Sequence, residues 1–226
     1  MCNYVVLHRR LKKTYKKIAP ELWWGDDLDV RFYLLKRLIE VKNKRILDVG
    51  CNIGIIIKFL DKTNFLCGID IDLEFCKKAK DFNKNAYIVN GTMKALPFKS
   101  NFFDIVIMSN VFPGYEFYES NVDEAVNKTL TEIKRVLKRN GMLLLTTPNK
   151  ESKPYRKSKK ITYNQLSKYI ASIGFTFEIY GWNSLFFQPL LPKILSNIEI
   201  TWRILESLMN RNIGKSKYFF VIAEKR

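Results

Sequence analysis

The strongest constraint on the fold is an alternation. Short apolar runs rich in Ile, Val, Leu and Phe occur at Arg45–Gly50, Phe65–Ile71, Ala86–Gly91, Phe103–Asn110 and Met142–Thr147. Helix-patterned pieces lie between them at Gly54–Lys62, Leu73–Lys84 and Val122–Lys138. Runs that are apolar almost throughout fit strands covered on both faces. In the third helical piece Val122, Ala125, Val126, Thr129, Leu130, Ile133, Val136 and Leu137 form one stripe at helical spacing, and Asn140-Gly141 is a stop signal. Strand–helix–strand repetition predicts a parallel sheet with right-handed crossovers. A further unit follows Pro148: a basic loop, a helix at Tyr163–Ser172 and a strand at Thr176–Trp182. The chain closes with a strand at Tyr218–Glu224.

The 226 residues suit one domain, read as an N-terminal helical cap (1–44), a core (45–182), a helical insertion (183–213) and a last strand (214–226). A hydrophobic content of 47% supports a real core and excludes a disordered tail protein. No apolar run of about 18 residues lacks charge or proline, so no spanning helix is expected. The four cysteines show no C-x-x-C spacing and the only histidine is His8, so no metal site is expected. Cys51 and Cys67 read as small buried hydrophobes in a reduced, cytoplasmic protein.

The chemistry concentrates at two strand ends. In Ile46-Leu47-Asp48-Val49-Gly50-Cys51-Asn52-Ile53-Gly54 an apolar strand ends in an acid, and a glycine-bearing turn then opens a helix. Such a turn brings backbone close to a ligand beside free N–H groups. Neither the dinucleotide pattern G-x-G-x-x-G nor the phosphate loop is present. Asp70, in Gly68-Ile69-Asp70-Ile71-Asp72, ends the next strand 20 residues after Gly50. An acid at that spacing can accept hydrogen bonds from both hydroxyls of a ribose, whereas a strand-ending acid alone often caps a helix.

The segment resembles the first motif of the class I S-adenosylmethionine-dependent methyltransferases, D-x-G-C-G-x-G. Ala95-Leu96-Pro97-Phe98 with Asn101-Phe102-Phe103-Asp104 is similar to the family's "LPF…FD" passage. Ile133-Lys134-Arg135-Val136-Leu137-Lys138 with Gly141 is similar to its "RvLkpGG" passage. Thr147-Pro148-Asn149 matches an ending common in the branch that methylates quinones, sugars and other small acceptors, and Ile173-Gly174-Phe175 resembles its "aGF" turn. The resemblance covers roughly residues 44–182 and the last strand. It implies a Rossmann-like α/β fold: a seven-stranded, mostly parallel sheet with helices on both faces and an antiparallel last strand. It implies S-adenosyl-L-methionine as cofactor. Gly50 and Gly54 would line its methionine end, with Asp48 supporting the loop. Asp70 would hold the ribose, Ile71, Thr92 and Met93 would lie by the adenine, and Ser109 near the sulfonium. Two positions depart from the pattern. Asn52 replaces a glycine, and Asn tolerates a positive φ best among the other residues. Thr92 stands where many members carry an Asp. A weaker cofactor site, or a cofactor-binding protein without turnover, is the alternative these departures leave.

No catalytic residue is assigned. The family often carries Glu-His after its fourth strand, and here the stretch is Val111-Phe112-Pro113-Gly114-Tyr115-Glu116. Tyr115, Glu116 and Tyr118 are nearest, and read equally as exposed loop residues. The flanking segments would frame the acceptor: an amphipathic Tyr4–Ile18, Trp23 and Trp24, and the aromatic stretch 183–212 with Phe186, Phe187 and Trp202. They fit a small-molecule or lipid-like acceptor; an RNA- or protein-modifying enzyme is the competing class. The net charge of +17 is uneven. Residues 1–45 hold 12 basic and 5 acidic side chains, 46–149 hold 13 and 12, and 150–226 hold 14 and 5. Because composition bias would colour the core too, this pattern favours an anionic partner at the flanks, such as a membrane surface. Oligomeric state is not read from the sequence.

Overall fold

The computed structural model describes residues 10–14, 16–17, 31, 34–113, 121–153, 160–182, 213 and 216–226. Seven strands run in chain order: β1 Arg45–Val49, β2 Phe65–Asp70, β3 Tyr87–Asn90, β4 Phe103–Ser109, β5 Leu137–Pro148, β6 Phe175–Trp182 and β7 Tyr218–Lys225. Four helices alternate with them: α1 Ile55–Phe59, α2 Leu73–Phe82, α3 Val122–Val136 and α4 Tyr163–Ser172. The strands form one sheet in the order β3-β2-β1-β4-β5-β7-β6, in which β7 alone runs antiparallel to its neighbours. The Rossmann-like sheet expected above is therefore present.

The period-two geometry of strands divides the core. Leu47, Val49, Val106, Met108, Leu143 and Leu145 point to one face, under Val126, Leu130 and Ile133 of α3 and Leu166 and Ile170 of α4. Ile46, Ile105, Ile107 and Leu144 point to the other, under Ile55–Ile57 and the N-terminal Leu11, Leu34, Leu35 and Leu38. The helices are capped as their sequences suggest. Asp72 accepts from the N–H groups of Glu74 and Phe75 at the start of α2, and Thr162 with Gln165 makes a capping box on α4.

Several boundaries differ from the sequence reading. α3 ends at Val136, not Lys138, because Leu137 turns extended and enters the sheet beside Phe103. Asn140, read as a helix stop, instead lies inside β5 with φ 60°. Val122 is 38% exposed and lies off the buried stripe. α1 stops at Phe59, three residues short, because Leu60 is extended at ψ 152°. His8, Trp23, Trp24, Tyr115, Glu116, Tyr118, Phe186, Phe187 and Trp202 lie outside the described residues. Among those described, no helix is long and apolar enough to cross a membrane.

Candidate functional site

The carboxyl ends of β1 and β4 open onto a cleft lined by Arg31, Asp48, Gly50, Cys51, Asn52, Ile53 and Ser109, with Ile55 and Ile56. Sheet order places it where the chain reverses direction from β1–β3 to β4, the usual ligand crevice of an open α/β sheet. The loop after β1 has a left-handed backbone at three places: Gly50 (φ 70°), Asn52 (φ 49°) and Gly54 (φ 74°). Asn52 thus adopts the conformation its sequence position demanded, and its own Oδ1 accepts from the N–H of Ile53 at 2.7 Å. Gly50 also has a steric reason. A Cβ there would fall 2.4 Å from Cγ2 of Val111, at the end of β4. Gly54 has a steric reason as well. It is absent from the cleft lining and packs on α2, where a Cβ would meet Asn83 Nδ2 at 2.5 Å.

Asp70 ties the two loops together. One carboxylate oxygen accepts from the N–H of Asn52 at 2.8 Å and the other from the N–H of Asp72 at 3.0 Å. Helix capping falls to Asp72, so Asp70 keeps further lone pairs on both oxygens. Ile71 beside it is 59% exposed, an apolar surface at the rim. Thr92 follows β3, and its hydroxyl accepts from the N–H of Lys94. Met93 is buried and belongs to the same core cluster as Leu96 and Val106.

The cleft floor is polar and unsatisfied. Among the described residues, both oxygens of Asp48, 2% exposed, and the hydroxyl of Ser109 have no hydrogen-bond partner. Burial pushes the Asp48 carboxyl up to about 8, with Arg31 pulling it down and Asp70 pushing it further up. A buried carboxylate without donors costs several kcal/mol, so such a group marks a place where a donor-bearing ligand is accommodated. Arg31 also lines the cleft, and the sequence reading does not find it because no local motif marks it. The cysteines behave as read: Cys51 and Cys67 are buried, and burial raises both thiols, Cys67 to about 12. Among the described residues no cluster of His, Cys, Asp and Glu could hold a metal.

The Thr147-Pro148-Asn149 ending is used for architecture. The Thr147 hydroxyl donates to the carbonyl of Phe112, and Asn149 Nδ2 donates to the carbonyl of Ser216. Its polar groups fix β5 against the exit of β4 and the entry to β7.

The Asp48 carboxyl has a measurable consequence. Its folded value lies above its ordinary 3.8, so the fold keeps a proton that the unfolded chain releases. Stability is full below about pH 4 and falls as pH rises toward about 8. Asp48→Asn removes that loss. In thermal denaturation at pH 8.5 the variant is expected to melt several degrees above the parent, and at pH 4 beside it. Equal melting at both values would refute the assignment.

A methyltransferase-domain family model matches residues 47–145. Among curated relatives, an uncharacterized protein of Methanocaldococcus jannaschii is 29% identical over 202 residues, covering 84% of this chain and 82% of its own. A second from that organism is 34% identical over 156 residues, covering 65% and 56%. Among solved structures, a TehB-like SAM-dependent methyltransferase from Corynebacterium glutamicum has a TM-score of 0.63 at 15% identity, covering 98% of this chain and 99% of that one. A SAM-dependent methyltransferase from Archaeoglobus fulgidus has a TM-score of 0.60 at 16% identity, covering 94% and 98%.

Proposed function

We propose that this chain, a class I S-adenosylmethionine-dependent methyltransferase by its matched domain and fold, transfers the methyl group to a small-molecule or lipid-like acceptor. The carrying observation is the cleft floor, where Asp48 and Ser109 present buried polar atoms that have no partner among the described residues, beside a turn in which a Cβ at position 50 would clash with Val111.

The residues fit the cofactor. Asp70, with free lone pairs beside two backbone contacts, would hold the ribose diol, and exposed Ile71 would cover one face of the adenine. Asp48 would meet the amino group, and Arg31 across the cleft the carboxylate, of the methionine end. When bound, the cofactor supplies an activated methyl on a sulfonium. The protein's task is then to align and exclude water. Ser109, at the end of β4, closes the floor of the cleft.

The test is a screen with methyl-labelled cofactor against separated small-molecule, lipid, RNA and protein fractions. Label is expected in the small-molecule or lipid fraction and to vanish with Asp70→Ala. Label confined to RNA or protein would overturn the acceptor class while leaving the cofactor site standing.

A further inference from the structure

The opposite edge of the sheet, at the amino ends of the strands, carries a second constellation. β3 opens on Tyr87, 62% exposed, and β2 on Phe65, 38% exposed. Their rings stack with centroids 4.9 Å apart. Phe65 meets Phe102 edge-on at 5.7 Å, and the guanidinium of Arg45, which opens β1, lies 4.6 Å over the Phe102 ring. Given the strand order, Tyr87, Phe65, Arg45 and Phe102 form one row across β3, β2, β1 and the approach to β4. Phe65 and Tyr87 belong to neither core cluster, so core packing does not account for them.

Cations surround the row. Lys42, Lys44, Lys62, Lys99 and Arg139 are exposed around these strand starts and make no ion pair among the described residues. The neighbouring acids are occupied. Asp104 accepts from the N–H of Arg45 and from Lys138, and Asp61 from the N–H and hydroxyl of Thr63.

We propose that this edge docks single-stranded nucleic acid. Bases stack on aromatic faces regardless of sequence, and lysines and arginines track the phosphates. A duplex hides its base faces and cannot use the row. A lipid surface calls for protruding apolar side chains, whereas here the most exposed ring carries a hydroxyl and Phe65 is stacked against it. Four strand steps of ~3.3 Å put the edge about 13 Å from the carboxyl end of β1. The docked strand thus leaves the cofactor cleft open, and the proposal stands apart from the choice of methyl acceptor.

The experiment is fluorescence polarisation of the full chain with a labelled 12-nucleotide oligouridine RNA, a duplex of equal length, and phosphatidylglycerol vesicles as third probe. The single strand is expected to bind at least about tenfold tighter than the duplex at low salt. Tyr87→Ala is expected to weaken it about tenfold. The pair Lys44→Gln and Lys62→Gln is expected to lower the slope of log affinity against log salt by about 1.4. Both variants should melt with the parent and titrate S-adenosylmethionine with the parent's affinity. The proposal is overturned if the single strand fails to bind, if the duplex binds equally, if Tyr87→Ala matches the parent, or if only the vesicles bind.

Discussion

Asp70→Ala is expected to reduce S-adenosylmethionine affinity by at least about 100-fold, measured by calorimetry. The carboxylate acts twice. It accepts from Asn52 and Asp72 backbone N–H groups, which hold the two loops that would frame a ribose. Its remaining lone pairs would take the ribose hydroxyls. Charged hydrogen bonds of this kind contribute about 1.5–3 kcal/mol each, and two are lost together with the loop's anchor. Stability should also fall by about 1–3 kcal/mol, because two N–H groups lose their acceptor. Asp70→Asn keeps one acceptor oxygen and should sit between the two. An alanine variant that binds cofactor like the parent would remove Asp70 from the site.

The second large effect is expected at Gly50. Gly50→Ala forces a side chain onto a φ of 70° and into Val111, with the new Cβ 2.4 Å from Cγ2 and 2.8 Å from Cβ. The left-handed backbone costs roughly 1–2 kcal/mol and the overlap a further 1–3. Urea denaturation should therefore show a loss of about 2–5 kcal/mol. Because the two contributions are separate, Val111→Ala in the Gly50→Ala background should restore the overlap part and leave the backbone part. No restoration would mean that the clash is relieved elsewhere and that β4 does not press on the loop.

These two positions also show what the sequence could and could not supply. Gly50, Asn52 and Asp70 lie on one strand end and the next, so their roles are local and the pattern exposes them. Asn52 is the clearest case: its departure from glycine looked costly, and its left-handed φ with an Asx contact shows how the turn is kept. Gly54 has a contact that no local pattern shows, since its carbonyl accepts from Asn83 Nδ2, 29 residues on. Arg31 enters the cleft from a segment without any motif, and only the packing of the N-terminal residues on the sheet reveals it. The aromatic row has the same origin. Tyr87, Phe65, Arg45 and Phe102 are spread over 58 residues and meet only because their strands start side by side. The end of α3 was misplaced for a related reason: local pattern continued the helix through Leu137, and pairing with Phe103 drew that residue into the sheet.

The proposed cofactor site is the cleft over β1 and β4, with Asp70, Asp48 and Ser109 as its holding residues. A crystal structure of the complex with S-adenosylhomocysteine tests it most directly. The ribose hydroxyls are predicted within hydrogen-bond reach of Asp70, with the amino group beside Asp48 and Ser109. A nucleoside bound elsewhere, or an Asp70 carboxylate that touches only Asn52 and Asp72 in the complex, would contradict it.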